Sequence, residues 1–183
     1  MVGMVLFLWH LGTERKRYMK YTELLSPEMQ QTLADAGYET PTPIQAQSLE
    51  TLLDGRDLIG IAQTGTGKTA AFAVPIIEKI NPENRKPQAL ILCPTRELAL
   101  QTTAVFKKLS QHKKMRTVSI YGGQSPHVQI QALRGGAQVV VGTPGRVKDL
   151  IGQNALKLSN IRYVVLDEAD EMLDFGFLPD IKW

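Results

Sequence analysis

From Asp57 onward, short apolar runs alternate with longer stretches of mixed polarity. Leu58-Ile59-Gly60-Ile61, Ala89 to Cys93, Thr117 to Tyr121, Gln138 to Val141 and Tyr163 to Leu166 have the length and β-branched content of strands. The intervening spacing predicts helices from the glycine-rich loop 65–67 to about Ile80, over Glu97–His112, over Ser125–Leu133 and over Gly145–Ile151. Pro75 should distort or limit the first of these. Asn81-Pro82-Glu83-Asn84 and Pro87 mark a loop. Strands that are apolar throughout are buried on both faces, and their alternation with helices predicts an α/β fold of three layers around a mainly parallel sheet. In such sheets ligands bind beyond the carboxyl ends of the strands. The loops that leave those ends are therefore where chemistry is expected.

The 183 residues suffice for one sizeable core. Formal charge is +3, and the excess is local. Residues 1–20 hold Arg15, Lys16, Arg17 and Lys20 against Glu14, which leaves 17 basic and 17 acidic residues in the remainder. Overall charge thus gives little support to nucleic-acid binding, and such a role must rest on local groups. The single cysteine, Cys93, reads as a small buried hydrophobe, and its solitude fits a reducing compartment such as the cytoplasm. The apolar run Met1–Leu11 is too short to span a membrane. Its basic residues follow it, the reverse of a secretory signal. Residues 1–18 read as an extension outside the fold whose removal leaves the rest intact. Lys107, Lys108, Lys113 and Lys114 read as a solvated helix terminus.

Ala62-Gln63-Thr64-Gly65-Thr66-Gly67-Lys68-Thr69 lies between a strand and a helix, the setting of a phosphate-binding loop. Gly65 and Gly67 let the backbone wrap closely, and the amides of Gly65 to Thr69 sit at the positive end of the next helix. Lys68 would reach the outer phosphates and the Thr69 hydroxyl would hold Mg²⁺. Ala62 stands where the strict pattern has glycine. Gly65-x-Gly67-x-x-Ala70 also matches a dinucleotide fingerprint, but no acidic residue ends a strand about 20 residues on, as that reading requires. Asp167-Glu168-Ala169-Asp170 follows the last strand directly. A carboxylate at the tip of a buried strand is costly unless a cation or water offsets it. Asp167 suits a second contact to Mg²⁺, and Glu168 suits a base that orients or deprotonates attacking water.

Those two segments resemble the nucleotide-binding pair of the DEAD-box ATP-dependent RNA helicases. Gly37-Tyr38-Glu39-Thr40-Pro41-Thr42-Pro43-Ile44-Gln45 resembles that family's Q motif. Pro94-Thr95-Arg96-Glu97-Leu98-Ala99, Gly122-Gly123 and Thr143-Pro144-Gly145-Arg146 resemble its RNA-contact motifs. The motifs occur in the family's order over about residues 20–180. Asp170 stands where the related DEAH type has histidine.

The resemblance implies a RecA-like P-loop domain at 57–183, preceded by a Q-motif region at 19–56. It implies an ATP site formed by Tyr21, Thr40, Gln45, Thr64, Gly65, Thr66, Gly67, Lys68 and Thr69, with Mg²⁺ on Thr69 and Asp167. Gln45 would pair with an adenine edge and Tyr21 would stack on the base, from a segment one residue shorter than the family's usual spacing. Lys68, Asp167 and Glu168 would carry ATP hydrolysis. Pro94, Thr95, Arg96, Gly122, Gly123, Thr143, Pro144, Gly145 and Arg146 would hold an RNA backbone without reading its sequence. Arg96 could instead pair with Asp170 or Glu97. Activity would need a second RecA-like domain, absent from this chain. The alternative is a fragment that binds nucleotide or RNA without catalysis. In the RecA-like fold the strand leading to a Ser-Ala-Thr motif lies between the phosphate-loop strand and the strand ending at Leu166. The chain ends at Trp183 without it, so an open slot, or direct pairing of its two neighbours, is expected there.

Overall fold

The computed structural model describes residues 3–7, 21–63 and 65–181. Six parallel strands form one sheet: β1 (Gly3–Phe7), β2 (Leu58–Gly60), β3 (Ala89–Leu92), β4 (Thr117–Ile120), β5 (Val139–Gly142) and β6 (Tyr163–Leu166). Their order is β2-β1-β6-β3-β5-β4. Nine helices accompany them among the described residues. These are α1 (Tyr21–Leu24), α2 (Pro27–Asp35), α3 (Pro43–Leu53), α4 (Lys68–Lys79), α5 (Arg96–Leu109), α6 (Pro126–Arg134), α7 (Pro144–Gly152), α8 (Ala169–Asp174) and α9 (Leu178–Ile181).

Side chains of the central strands point alternately to two apolar layers, as the period of two demands. Ala89, Ile91, Cys93, Val139, Val141 and Val165 join a core closed by α2 to α5, centred on Phe72 and Phe106. Leu90, Leu92, Val118, Ile120, Val140 and Leu166 join a second core beneath α6, α7 and α8, with Val147, Leu150 and Met172. Both faces of β3 and β5 are covered, and this is why they read as unbroken apolar runs; β2, at the sheet edge, departs from the buried strand its sequence predicts, with Ile59 63% exposed. Cys93 is fully buried in the first core, as its sequence context predicts. No helix among the described residues is long and apolar enough to cross a membrane.

Three sequence expectations change. Pro75 does not end its helix: α4 continues past it to Lys79. The cationic cluster at the end of α5 is not simply solvated. Lys108 Nζ donates to Ala36 O at 3.1 Å, just past α2. Lys113 Nζ donates to Ile77 O at 2.6 Å and Glu78 O at 2.9 Å, on the last turn of α4. These lysines cap other helices, where carbonyls lack partners within their own helix and the dipole end is negative.

The third change is the largest. Residues 3–7, expected to stand outside the fold, form an internal strand. Val5, Leu6 and Phe7 pair with Leu58, Ile59 and Gly60, while Gly3 to Leu6 pair with Tyr163 to Leu166. β2 and β6 neither face an open slot nor pair directly, because β1 lies between them. Met4-Val5-Leu6-Phe7 is an apolar run with the β-propensity of a buried parallel strand. The run is too short for a membrane span and wrongly flanked for an export signal, and the sheet supplies a third use for it.

Candidate functional site at the carboxyl edge of the sheet

β2 delivers the glycine-rich loop to the carboxyl edge. Gly65 and Gly67 have φ of +80° and +86°, left-handed values that only glycine adopts at little cost. Gly67 is the N-cap of α4, so the amides of the first turn, from Lys68, open toward this edge. A Cβ at Gly67 would collide with Gln45 Nε2. Thr66 Oγ1 donates to Gln63 O at 2.6 Å and closes the loop on itself. Thr64 lies outside the described residues, as does the side chain of Tyr21. Thr40 is exposed just before α3.

Gln45 is 1% exposed and both ends of its amide are engaged. Oε1 accepts from Thr42 N at 3.0 Å and Nε2 donates to Gly67 O at 3.1 Å. The Q-type segment is thus fastened to the phosphate loop. The amide keeps a second N–H and a second lone pair, but at 1% exposure an adenine edge would reach them only if the covering groups moved.

β6 delivers the acidic pair. Asp167 N donates to Leu92 O at 2.9 Å, and its carboxylate, 2% exposed, accepts from Thr102 Oγ1 at 3.4 Å. Burial, and then the neighbouring Glu168, push Asp167 up to about 6, against the opposing pull of Lys68 and Thr102. Glu168 is also raised, by burial first and then by Glu171. Its backbone lies at φ 54°, ψ 54°, left-handed for a residue with a Cβ. Lys68 Nζ stands 3.9 Å from Glu168 Oε1, with both side chains mostly covered. One cation therefore faces two crowded carboxylates. Such a charge set accepts a hard cation well: the Thr69 hydroxyl and the Asp167 carboxylate offer the oxygen donors that Mg²⁺ prefers. Among the described residues no cluster of three or more His, Cys, Asp or Glu could hold a metal by itself. Further oxygen ligands would come from phosphate or water. A cavity of 340 Å³ lined by Leu52, Phe72, Pro75 and Tyr163 opens near the amino end of β6, away from these groups.

The three remaining loops leave β3, β5 and β4 along the same edge. Thr95 caps α5, its hydroxyl accepting from Leu98 N at 3.2 Å. Arg96 is exposed, and its guanidinium sits 4.8 Å from the centre of the Tyr121 ring rather than on Asp170 or Glu97. Gly122 and Gly123 are exposed, and Gly123 has φ +79°. Pro94 and Pro144 are buried, whereas Thr143, Gly145 and Arg146 are half-buried. Arg146 Nη1 donates to Gln124 O at 3.0 Å and Gln129 Oε1 at 3.2 Å. Its charge is committed to an internal network. The sequence reading missed Thr102, Tyr121 and Gln129. Gln129 left one signal, since it shares the inward face of α6 with Leu133, where an apolar residue would be usual.

Comparisons with known proteins agree with this geometry. A family described as DEAD/DEAH box helicase matches residues 42–183. The chain is 54% identical over 158 residues to RNA helicase CrhR of Synechocystis sp., covering 86% of this chain and 32% of that protein. It is 50% identical over 153 residues to ATP-dependent RNA helicase DeaD of Escherichia coli K12, covering 83% and 24%. It superposes on a DEAD box protein from Methanococcus jannaschii with TM-score 0.86 and 43% identity, over 90% of this chain and 46% of that one. The chain thus spans about a third or less of the curated relatives it matches.

Proposed function

The chain belongs to the DEAD/DEAH box helicase family, and we propose that it is the ATP-binding half of an RNA helicase whose hydrolysis of ATP drives local opening of RNA duplexes. The observation that carries this reading is the approach of Lys68 to Glu168, next to the buried Asp167 and beside the left-handed glycines of the phosphate loop. Gly65 to Thr69 cradle the phosphates of ATP, with Lys68 on the outer ones. Thr69 and Asp167 hold Mg²⁺, which neutralises phosphate charge when bound. Glu168 orients the attacking water and takes its proton, a task suited by its raised proton affinity. Gln45 selects adenine and Tyr21 stacks on it, with Thr40 and Thr64 completing the nucleotide contacts. Pro94 to Arg96, Gly122-Gly123 and Thr143 to Arg146 form a face for an RNA backbone. A second RecA-like domain completes the catalytic charge set, and the protein works in the cytoplasm. Residues 57–183, joined by β1, are the RecA-like body, and residues 19–56 its Q-motif region.

Binding of a fluorescent ATP analogue with Mg²⁺ tests the first half. Lys68→Ala should remove the phosphate-dependent affinity, and equal affinity in the two proteins would refute the assignment. Turnover is tested in the protein that carries both domains. Steady-state ATPase should rise with single-stranded RNA, and Glu168→Gln should bind both ligands yet turn over at least about 100-fold more slowly. Binding without RNA-stimulated turnover would identify a non-catalytic module instead.

A further inference from the structure

Three loops of the carboxyl edge come from different strands, yet one buried side chain ties two of them together and reaches the support of the third. Gln129 on α6 is 2% exposed. Its Nε2 donates to Tyr121 O at 2.9 Å and to Gln124 Oε1 at 3.0 Å, which fixes both ends of the loop holding Gly122-Gly123. Its Oε1 accepts from Arg146 Nη1 at 3.2 Å, which fastens α7 and the segment from Thr143. Arg146 Nη1 reaches Gln124 O as well, at 3.0 Å. The Tyr121 ring in turn supports the Arg96 guanidinium at 4.8 Å, and Gly123 lies close enough that a Cβ there would stand 3.9 Å from Arg96 Nη1. An amide donates to carbonyls through its nitrogen and accepts from a guanidinium through its oxygen, so one side chain serves both partners at once. An apolar residue at this place would leave Tyr121 O and Arg146 without these partners.

We infer that Gln129 is a positioning residue that holds the loops after β3, β4 and β5 at one spacing, and thereby sets the affinity of this edge for an RNA backbone. The inference rests on the reading of these loops as an RNA-binding face. Gln129 itself, being buried, touches no phosphate. Its effect is on preorganisation: loops already held in place lose less freedom when a ligand binds them. Arg146 belongs to the same bracing network, so its charge acts through loop placement.

The test uses the whole chain and a fluorescently labelled single-stranded oligouridylate, with anisotropy read over a range of salt. Gln129→Leu should weaken RNA binding roughly tenfold, the order expected when buried polar groups lose their partners. The weakening should be the same at every salt concentration. The slope of log Kd against log salt counts phosphate contacts, and Gln129 makes none. Affinity for an ATP analogue should stay near the parent value, while the melting temperature falls by a few degrees as the partners of Gln129 are left unpaired. Gln129→Glu keeps the acceptor for Arg146 but loses the donor to Tyr121, so a smaller loss is expected. Arg96→Ala is the control for the face itself and should lower the salt slope by about one. If the parent chain binds no RNA, or Arg96→Ala leaves the slope unchanged, the RNA face is overturned. If the parent binds and Gln129→Leu binds equally well, the positioning role is overturned. A fall in ATP-analogue affinity parallel to the fall in RNA affinity would overturn it too, in favour of general structural support.

Discussion

Asp167 carries the least comfortable charge in the described residues. It is buried at the tip of β6 with one hydroxyl partner, and its neighbour Glu168 repels it. Its proton affinity is raised in the fold, so folding takes up a proton between its unfolded value of 3.8 and about 6. That contribution to stability is fully present below the unfolded value and is lost as pH rises through about 6. Asp167→Asn removes the strain while keeping the shape. The ligand-free variant should melt a few degrees above the parent at about pH 8, with a smaller difference at about pH 5. The same variant should lose Mg²⁺-dependent nucleotide affinity. In the parent, that affinity should fall as pH drops through about 6, because a protonated carboxyl is a poor ligand. Calorimetric melting and nucleotide titration at two pH values check both signs, and a variant less stable than the parent at high pH would contradict the argument. At this scale the sequence exposed Lys68, Asp167 and Glu168, because each stands in a loop of telling composition. It did not expose that Gln45 spends both ends of its amide within the fold. That depends on the approach of two segments 22 residues apart, which no local pattern encodes.

At the scale of elements, the link between α3 and the phosphate loop depends on the absence of a side chain. Gly67 has φ +86°, and a Cβ there meets Gln45 Nε2, with Thr42 Oγ1 and Gln45 Cδ at 3.3 Å. Gly67→Ala is therefore penalised twice, once by left-handed backbone strain of about 1 kcal/mol and once by expulsion of Gln45 from its site. We expect a loss of about 2–3 kcal/mol in stability together with loss of ATP affinity. Gln45→Ala should cost affinity and adenine preference with little effect on the loop's own conformation. Denaturant unfolding and competition between ATP and GTP separate the two variants, and a Gly67→Ala protein that binds ATP normally would refute the crowding argument. The strands and helices of this region were legible because apolar runs of four or five residues and glycine-rich punctuation are local signals. The capping lysines were not, since Lys108 and Lys113 act on helices that end far away in sequence. A basic run looks the same whether its partners are water or the last turn of another helix.

At the scale of the whole molecule, the fold is closed by residues that the sequence reading set aside. β1 lies between the strand that leads to the phosphate loop and the strand that leads to Asp167. The two halves of the proposed nucleotide site are thus held apart by the width of one strand. Its register uses both edges of the same short segment: Val5 pairs with Leu58 on one side and with Val165 on the other. Without it, backbone groups of β2 and β6 would lose partners, at about 1–3 kcal/mol for each that stays buried, in a domain whose net stability is on the order of 5–15 kcal/mol. Deletion of residues 1–7 should therefore remove or broaden the cooperative melt, speed amide exchange at Leu58–Gly60 and Tyr163–Leu166, and weaken ATP binding as Lys68 and Asp167 lose their fixed separation. Val5→Pro is the sharper variant, because it keeps the apolar run and deletes one N–H in the middle of an internal strand. It should approach the deletion in effect. A peptide of sequence Gly-Met-Val-Leu-Phe added to the deleted protein should restore part of the protection. If the deletion and Val5→Pro both melt and bind ATP like the parent, β1 contributes nothing to the sheet, and β2 and β6 would have to meet across the gap. The Lys68–Glu168 distance would then shorten, and the Mg²⁺ site would narrow with it.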